Sequence, residues 1–387
     1  MNPRGKQHSI SSRQAFTSLL VIAACLLISA CKSRPAVIAF YKAENKSALD
    51  VAQESVNGWK NSAGAEIRFI KIGDVQSSAR GLEDDVVRAE TLIKTPNLIG
   101  VIGHDDSRGT LLTAPVYNEA GIPHIVPTAT SIRLKKSGRW TFMLAPDEIA
   151  EGAFIGAFVS DRLNARTATI FYHSDEYGMG LRDGIASALA ERGVRVIDQV
   201  SFDWMHNYPR MPDRELFENI VAASLRRGVP DVVIIAGRNG EAGQIGRLIH
   251  ARAPGVIFVA GDGVEAGKAF FSTAGPAAES FYMAAFWNPN MPDEESRAFV
   301  ERFRQATGRE PLPTDAMKYD AAMAMAQAAR EAGADREAIR RYLAELGSTR
   351  PPLRGVTGEI SFAPDRAPRL VMTRIGGGAA VLVDGGK

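Results

Sequence analysis

Cysteine is nearly absent from this chain of 387 residues: only Cys25 and Cys31 carry thiols, and both stand close to the N-terminus. The body that follows has no thiolate for a zinc or iron–sulfur site and no disulfide framework. Its 6 histidines are scattered without ligand-like spacing, so no metal and no cofactor are expected. Charge of one sign is equally scarce, with a formal net charge of +2. The densest basic run, RLKKSGR at 133–139, reads as a solvated loop too short to track a phosphate backbone, which argues against nucleic acid as a partner. A Gly-x-Ser-x-Gly nucleophile elbow is missing. Ser107 stands near His104 and Asp106, but three residues on one turn rarely build an oriented triad, so catalysis is not expected.

Long apolar runs are also lacking. The longest, at 16–30, is about fifteen residues against the roughly twenty that a membrane-spanning helix needs. Preceded by Arg4, Lys6 and Arg13, it reads as a secretory signal. Leu27-Ile28-Ser29-Ala30-Cys31 resembles a bacterial lipobox. That resemblance implies a signal peptide over 1–30, a lipid on the Cys31 thiol and a tether at 31–35; a plain signal peptide or an uncleaved anchor remains open. The remaining composition, 45% hydrophobic and 23% charged, is that of a globular protein long enough for two cored lobes.

The informative stretch is NLIGVIGHDDSRGTLLTAPVYNEAGIPHIVPTATS at 97–131. An apolar run at 98–102 stops at Gly103 and opens onto a polar turn, after which a helical pattern runs to Ala120 and closes at Gly121. A second apolar run at 122–126 breaks at Pro127 and opens onto Thr128, Ala129, Thr130 and Ser131. The order is strand, polar turn, helix, strand, polar turn. In a parallel α/β sheet both turns lie at the carboxyl edge, where ligands bind. Hydroxyls and unpaired amides beside a helix N-terminus suit a carboxylate or another small anion. Ser107 and Thr130 equally suit ordinary helix caps or turn positions.

Gly103-His104 with a serine-containing turn, then Pro115, Tyr117, Glu119, Gly121-Ile122 and Pro127-Thr128-Ala129-Thr130, resembles the signature of periplasmic leucine/isoleucine/valine-binding proteins, the type I solute-binding proteins of ABC transporters. The resemblance implies an α/β fold of two Rossmann-like lobes with parallel-rich sheets joined by three crossover strands. The lobes would be 36–145 with 286–355, and 146–285 with 356–387. It places Ser107, Thr128, Ala129 and Thr130 on the first-lobe side of a cleft, holding a ligand carboxylate, with Thr128 acting mainly through its carbonyl. It places Tyr177 against the ligand and Asp262 against a ligand ammonium; either could instead be a plain turn residue. Arg238 departs from the family, where an aromatic side chain is common, and could meet a second carboxylate.

The rest of the chain alternates strand and helix at βαβ spacing. Strands are expected at 36–40, 66–72, 167–172, 194–202, 231–236 and 256–260, with helices at 48–60, 81–94, 147–163, 179–192, 214–227 and 241–251. An extended segment at 140–146 leads to the first crossing, and 280–287 resembles the second. Helices then follow at 293–307, 314–331 and 336–346. A closing strand at 357–362 would be the third crossing, and strands at 370–373 and 379–383 flank a flexible Gly376-Gly377-Gly378. Tyr319-Asp320-Ala321-Ala322 and the methionines Met317, Met323 and Met325 are assigned to packing. The stretch DWMHNYPRMP at 203–212 is a lid or a long connection. Gly178-Met179-Gly180 with Gly184 misplaces the third glycine of a dinucleotide fingerprint.

The expectation is a lipid-anchored extracytoplasmic monomer that captures an amino-acid-like small molecule for an ABC permease in the inner membrane. The alternative is an envelope lipoprotein using the same fold as a sensor or protein-binding regulator.

Overall fold

The computed structural model describes residues 34–41, 47–72, 82–203, 214–366 and 368–383. The expected leader, Cys31, the loop after the first strand and nearly all of the 203–212 stretch lie outside the described residues.

The first sheet grows from β1 (Ala36–Tyr41), α1 (Ala48–Ser55), β2 (Ile67–Ile72), α2 (Leu82–Leu92), β3 (Leu98–Ile102), α3 (Ser107–Glu119), β4 (His124–Val126) and β5 (Thr141–Met143). Its strand order is β2-β1-β3-β4-β5, parallel throughout. AVIAFY and LIGVI, the sequences of β1 and β3, are buried at every position, as expected where helices cover both faces of a parallel sheet.

The second sheet follows from α4 (Glu148–Ala157), β6 (Thr167–His173), α5 (Glu176–Glu191), β7 (Arg195–Phe202), α6 (Arg214–Leu225), β8 (Val232–Ala236), α7 (Asn239–His250), β9 (Ile257–Ala260), α8 (Lys268–Ala274) and β10 (Phe281–Ala285). The chain then returns to the first sheet as α9 (Glu294–Thr307), α10 (Pro313–Ala332) and α11 (Arg336–Glu345). The short pair β11 (Leu353–Arg354) and β12 (Glu359–Ile360) comes next, and β13 (Val371–Gly376) and β14 (Ala379–Leu382) complete the second sheet. Its order is β14-β13-β10-β9-β8-β6-β7, parallel from β6 to β10 and antiparallel at β13 and β14.

Helix α10 fills the first core because its alanines and methionines permit close approach. Ala321, Ala322, Ala324 and Met325 are all fully buried, and Met317 and Met323 pack against the same core. A Cβ on Gly100 of β3 would lie 2.5 Å from Met325 Sδ, so the Met325 side chain packs into the space that glycine leaves on the strand.

Three passages link the sheets, and hydrogen bonds tie them to one another. Arg366 donates to the carbonyls of Leu144 and Ala145 in the first passage, at 2.7 and 2.6 Å. In the second, Trp287 Nε1 donates to Ser296 Oγ at 2.9 Å, and Ser296 in turn donates to the Val356 carbonyl of the third at 3.0 Å. Asp320 accepts from the amides of Val356 and Thr357 and from the Thr357 hydroxyl, at 2.8, 2.7 and 2.7 Å.

The structure departs from the sequence reading in five places. The helix expected at 48–60 ends at Ser55 as α1, and Lys60 bridges to Glu66. The strand expected at 357–362 shrinks to β12, because Asp320 takes the amides of Val356 and Thr357 that a longer ladder would use. The glycines at 376–378 form a tight hairpin rather than a slack connection: Gly377 and Gly378 have φ of 62° and 79°, and Gly376 pairs with Ala379. Two successive positive φ values are those of a type I′ turn, which matches strand twist. The helix expected at 147–163 ends as α4 and continues as a wider π-turn over Phe158–Arg162. Helix α8 was not anticipated, being only KAFFSTA, too short to show a helical period.

Candidate functional site

The two turns of the central stretch meet because β3 and β4 are adjacent and parallel. Asp106 caps α3, its Oδ1 accepting from the Gly109 amide at 2.7 Å. Ser107 is therefore not the cap. It sits in the first helical turn, 2% exposed, and its hydroxyl accepts from the Ser131 amide at 3.3 Å. Thr128 donates its hydroxyl to the Asp105 carbonyl at 2.8 Å and lines the cleft. Thr130 accepts from the Glu148 amide through its carbonyl at 3.0 Å, and its buried hydroxyl has no protein partner.

The opposite wall is built at the ends of β6, β8 and β9. Asp175 caps α5 by accepting from the Gly178 amide at 2.9 Å, and this places Tyr177 on the first turn. The Tyr177 hydroxyl accepts from the Gly263 amide at 3.0 Å. A Cβ on Gly263 would lie 2.5 Å from the Gly237 carbonyl and 2.9 Å from that hydroxyl, so only glycine admits the contact. Arg238 pairs with Asp175 at 2.6 Å and lies 5.6 Å from the centre of the Tyr177 ring. The Asp262 amide donates to Glu151 Oε1 at 2.8 Å, and Asp262 Oδ1 has no protein hydrogen-bond partner.

These walls enclose a cleft of about 170 Å³, lined by Ser107, Thr128, Ala129, Thr130, Tyr177, Arg238 and Asp262 together. Every site position expected in the body of the chain is thus brought to one place. Larger hollows of about 310 Å³ lie beside the crossovers, one against Phe142 and Arg366 and another against Trp287 and Pro311. The smaller cleft is the candidate because it lies at the carboxyl edges of both sheets and holds the unpartnered acceptors.

Sequence reading missed part of the lining. The missed residues are Glu265, Thr314 and Lys318; Asp105 and Asp106, which the sequence sets beside the site, line the cleft as well, while Arg108, set there with them, is exposed outside it. Behind the wall lie Glu148 and Glu151, 3% and 0% exposed. The available signal was a lysine one turn after a threonine in a helix otherwise rich in alanine. Its long-range partner, Asp105 at 2.8 Å, leaves no trace in local spacing.

Acidity dominates the electrostatics. Burial raises Asp262 to about 6, against the lowering effect of bonds from Tyr177 and Glu151. Burial also raises Glu148 to about 7 and, helped by the neighbouring Asp262 charge, holds Glu151 well above the usual carboxylate range. Glu265 is raised by burial to about 7. Asp175 behaves oppositely: burial would raise it, but the bond from His173 and the Arg238 charge hold it well below the ordinary value. Lys318 would be lowered by burial, yet Asp105 and then Asp315 and Glu265 raise it, so it stays charged.

Bridges also cross the cleft. Ser131 Oγ donates to Glu176 at 2.9 Å and Arg133 pairs with the same carboxylate at 2.9 Å. The Thr314 amide donates to Glu265 at 2.9 Å. Among the described residues no cluster of His, Cys, Asp and Glu is arranged to hold a metal ion, and no helix is long and apolar enough to cross a membrane.

A family model described as periplasmic binding protein matches residues 37–372. The Leu/Ile/Val-binding protein homolog 1 of Brucella suis is 28% identical over 335 residues, 86% of this chain and 84% of the relative. An amino acid binding protein of Pseudomonas aeruginosa is 26% identical over 285 residues, 73% and 72% of the two chains. Among solved structures, a leucine-binding protein from Thermotoga maritima is similar with a TM-score of 0.77 at 19% identity, covering 90% of this chain and 97% of that one. A Rhodopseudomonas palustris solute-binding protein in complex with benzoate gives 0.74 at 16% identity, covering 90% and 95%. Two lobes, three crossovers and a family match over most of its length place this chain in the periplasmic binding protein family.

Proposed function

We propose that the chain is a lipid-anchored, extracytoplasmic solute-binding protein that captures an amino acid or a related carboxylate or amide for an ABC importer. The observation that carries the reading is that Thr130 and Asp262 line the same cleft from opposite walls, each with a buried oxygen, the Thr130 hydroxyl and Asp262 Oδ1, that has no protein partner. A ligand with a carboxylate and an ammonium group satisfies both. Ser107 and Thr130 hold the carboxylate beside the α3 N-terminus, helped by the backbone at Thr128 and Ala129. Tyr177 packs on the ligand, and Asp262 meets the ammonium. Relatives named for binding Leu/Ile/Val and amino acids support the same class.

In this reading 36–145 with 286–355 forms one lobe and 146–285 with the chain end the other. A lipid on Cys31 holds the body at a membrane surface near its permease. Cys31→Ala should release the protein from the membrane fraction, and retention there would remove the anchor from the account.

The central experiment is a thermal-shift screen of the full-length chain in mild detergent against amino acids, dicarboxylates, amides and small aromatic acids. A ligand at a hundred times its dissociation constant adds about 2.7 kcal/mol of stability. A hit among amino acids is expected. A hit confined to aromatic acids or dicarboxylates contradicts the ammonium role of Asp262, and no hit at all favours a regulator that binds another protein.

A further inference from the structure

On its α10 side the cleft carries a connected polar patch that the carboxylate and ammonium positions do not use. Asp105 Oδ2 and Lys318 Nζ pair at 2.8 Å. Thr314 precedes Lys318 by about one helical turn, and its amide and hydroxyl donate to Glu265 at 2.9 and 3.3 Å. Among the described lining residues there is no leucine, isoleucine, valine, methionine, phenylalanine or tryptophan. An aliphatic ligand side chain placed here would strip water from charged groups and gain little apolar contact in return.

We propose that this patch is a subsite for a neutral terminal group carrying both an N–H donor and a carbonyl acceptor, a carboxamide or a ureido group, on the side chain of the ligand. The inference rests on the amino-acid reading of the cleft and goes on to name the kind of amino acid. Asp105 and Lys318 neutralise each other, as do Asp175 and Arg238 at 2.6 Å. A second carboxylate on the ligand would face Asp105 and Glu265. A second ammonium would face Lys318 and Arg238. A neutral dipole meets neither conflict. Its carbonyl accepts from Lys318, whose ammonium has three donors, and its N–H donates to Asp105 Oδ1, which has no protein hydrogen-bond partner. Sites built on paired hydrogen bonds reject ligands that leave them unfilled, because the buried polar groups then lose their partners.

The test is calorimetric titration of the full-length chain in mild detergent with glutamine, asparagine, citrulline, leucine, glutamate and lysine. One of the first three is expected to bind at least about tenfold more tightly than any of the last three, the cost of one unfilled charged hydrogen bond. Citrulline against the two amides separates ureido from carboxamide. Lys318→Met, shown folded by its unfolding transition, should shrink the preference over leucine to about threefold or less; if that variant does not fold, Asp105→Asn replaces it with the same expectation. Leucine, glutamate or lysine binding as tightly as the best of the three overturns the subsite and leaves the cleft reading standing. A preference undiminished in the folded variant also overturns it. No binding of any of the six overturns the subsite, and the cleft reading falls with it only if the wider screen of amino acids, carboxylates and amides also finds no ligand.

Discussion

Asp262 and Glu151 turn two carboxyl groups toward one enclosed space, where like charges and lost solvation disfavour double ionisation. Glu151, fully buried and held well above the usual range, keeps its proton, while Asp262, raised to about 6, is the member that ionises near neutral pH. A ligand ammonium needs Asp262 ionised. Affinity for an amino acid should therefore be level above about pH 7 and fall as pH drops through 6, approaching tenfold per unit below it. Titrations at pH 5, 6, 7 and 8 check this. Asp262→Asn should bind weakly and without that slope, and a wild-type affinity unchanged from pH 8 to 5 would remove the ammonium from Asp262. At this scale the placement of cleft residues was legible wherever it follows from a sheet edge: Ser107, Thr130, Tyr177 and Asp262 each follow a strand end and line the cleft. Glu151 and Lys318 were not legible, because each lies inside a helix and acts on a partner far away in sequence.

The third passage between lobes is held less by strand pairing than by one side chain. Asp320, 1% exposed, takes two backbone amides and a hydroxyl from Val356 and Thr357. Its replacement by alanine leaves those donors without an acceptor, at a cost of about 3 kcal/mol or more. Thermal unfolding of Asp320→Ala should show a clear loss, with Asp320→Asn intermediate because its amide retains one acceptor oxygen. A variant as stable as wild type would mean that the ladder, not Asp320, secures the passage. Most elements were readable from their period, since long apolar runs between glycine and proline punctuation belong to buried parallel strands. Asp320 read as part of a packing motif, because an acceptor for a distant backbone looks like any helical acid. The glycine triplet read as slack because composition alone does not distinguish a flexible link from a type I′ turn.

Across the whole molecule, two lobes meet over a cleft whose walls come from both sheets, and contacts at its rim join them. Glu176 reaches Ser131 and Arg133, and Glu265 reaches Thr314. Arg133 is 69% exposed, so its ion pair contributes little, at most about 1 kcal/mol. Two-lobe architecture was legible from chain length and from the alternation of strand and helix. The polarity of the cleft was legible only in part, since Asp105, Glu265 and Lys318 come together from three distant segments. The central claim is that ligand is gripped between the lobes by residues of both. The most direct measurement is the dissociation constant of the best amino acid from the screen for Ser107→Ala, Thr130→Val and Asp262→Asn, each set beside its unfolding temperature without ligand. The account predicts roughly tenfold or greater weakening in every variant, with unliganded stability nearly preserved. Wild-type affinity in all three would place the ligand elsewhere and contradict the account.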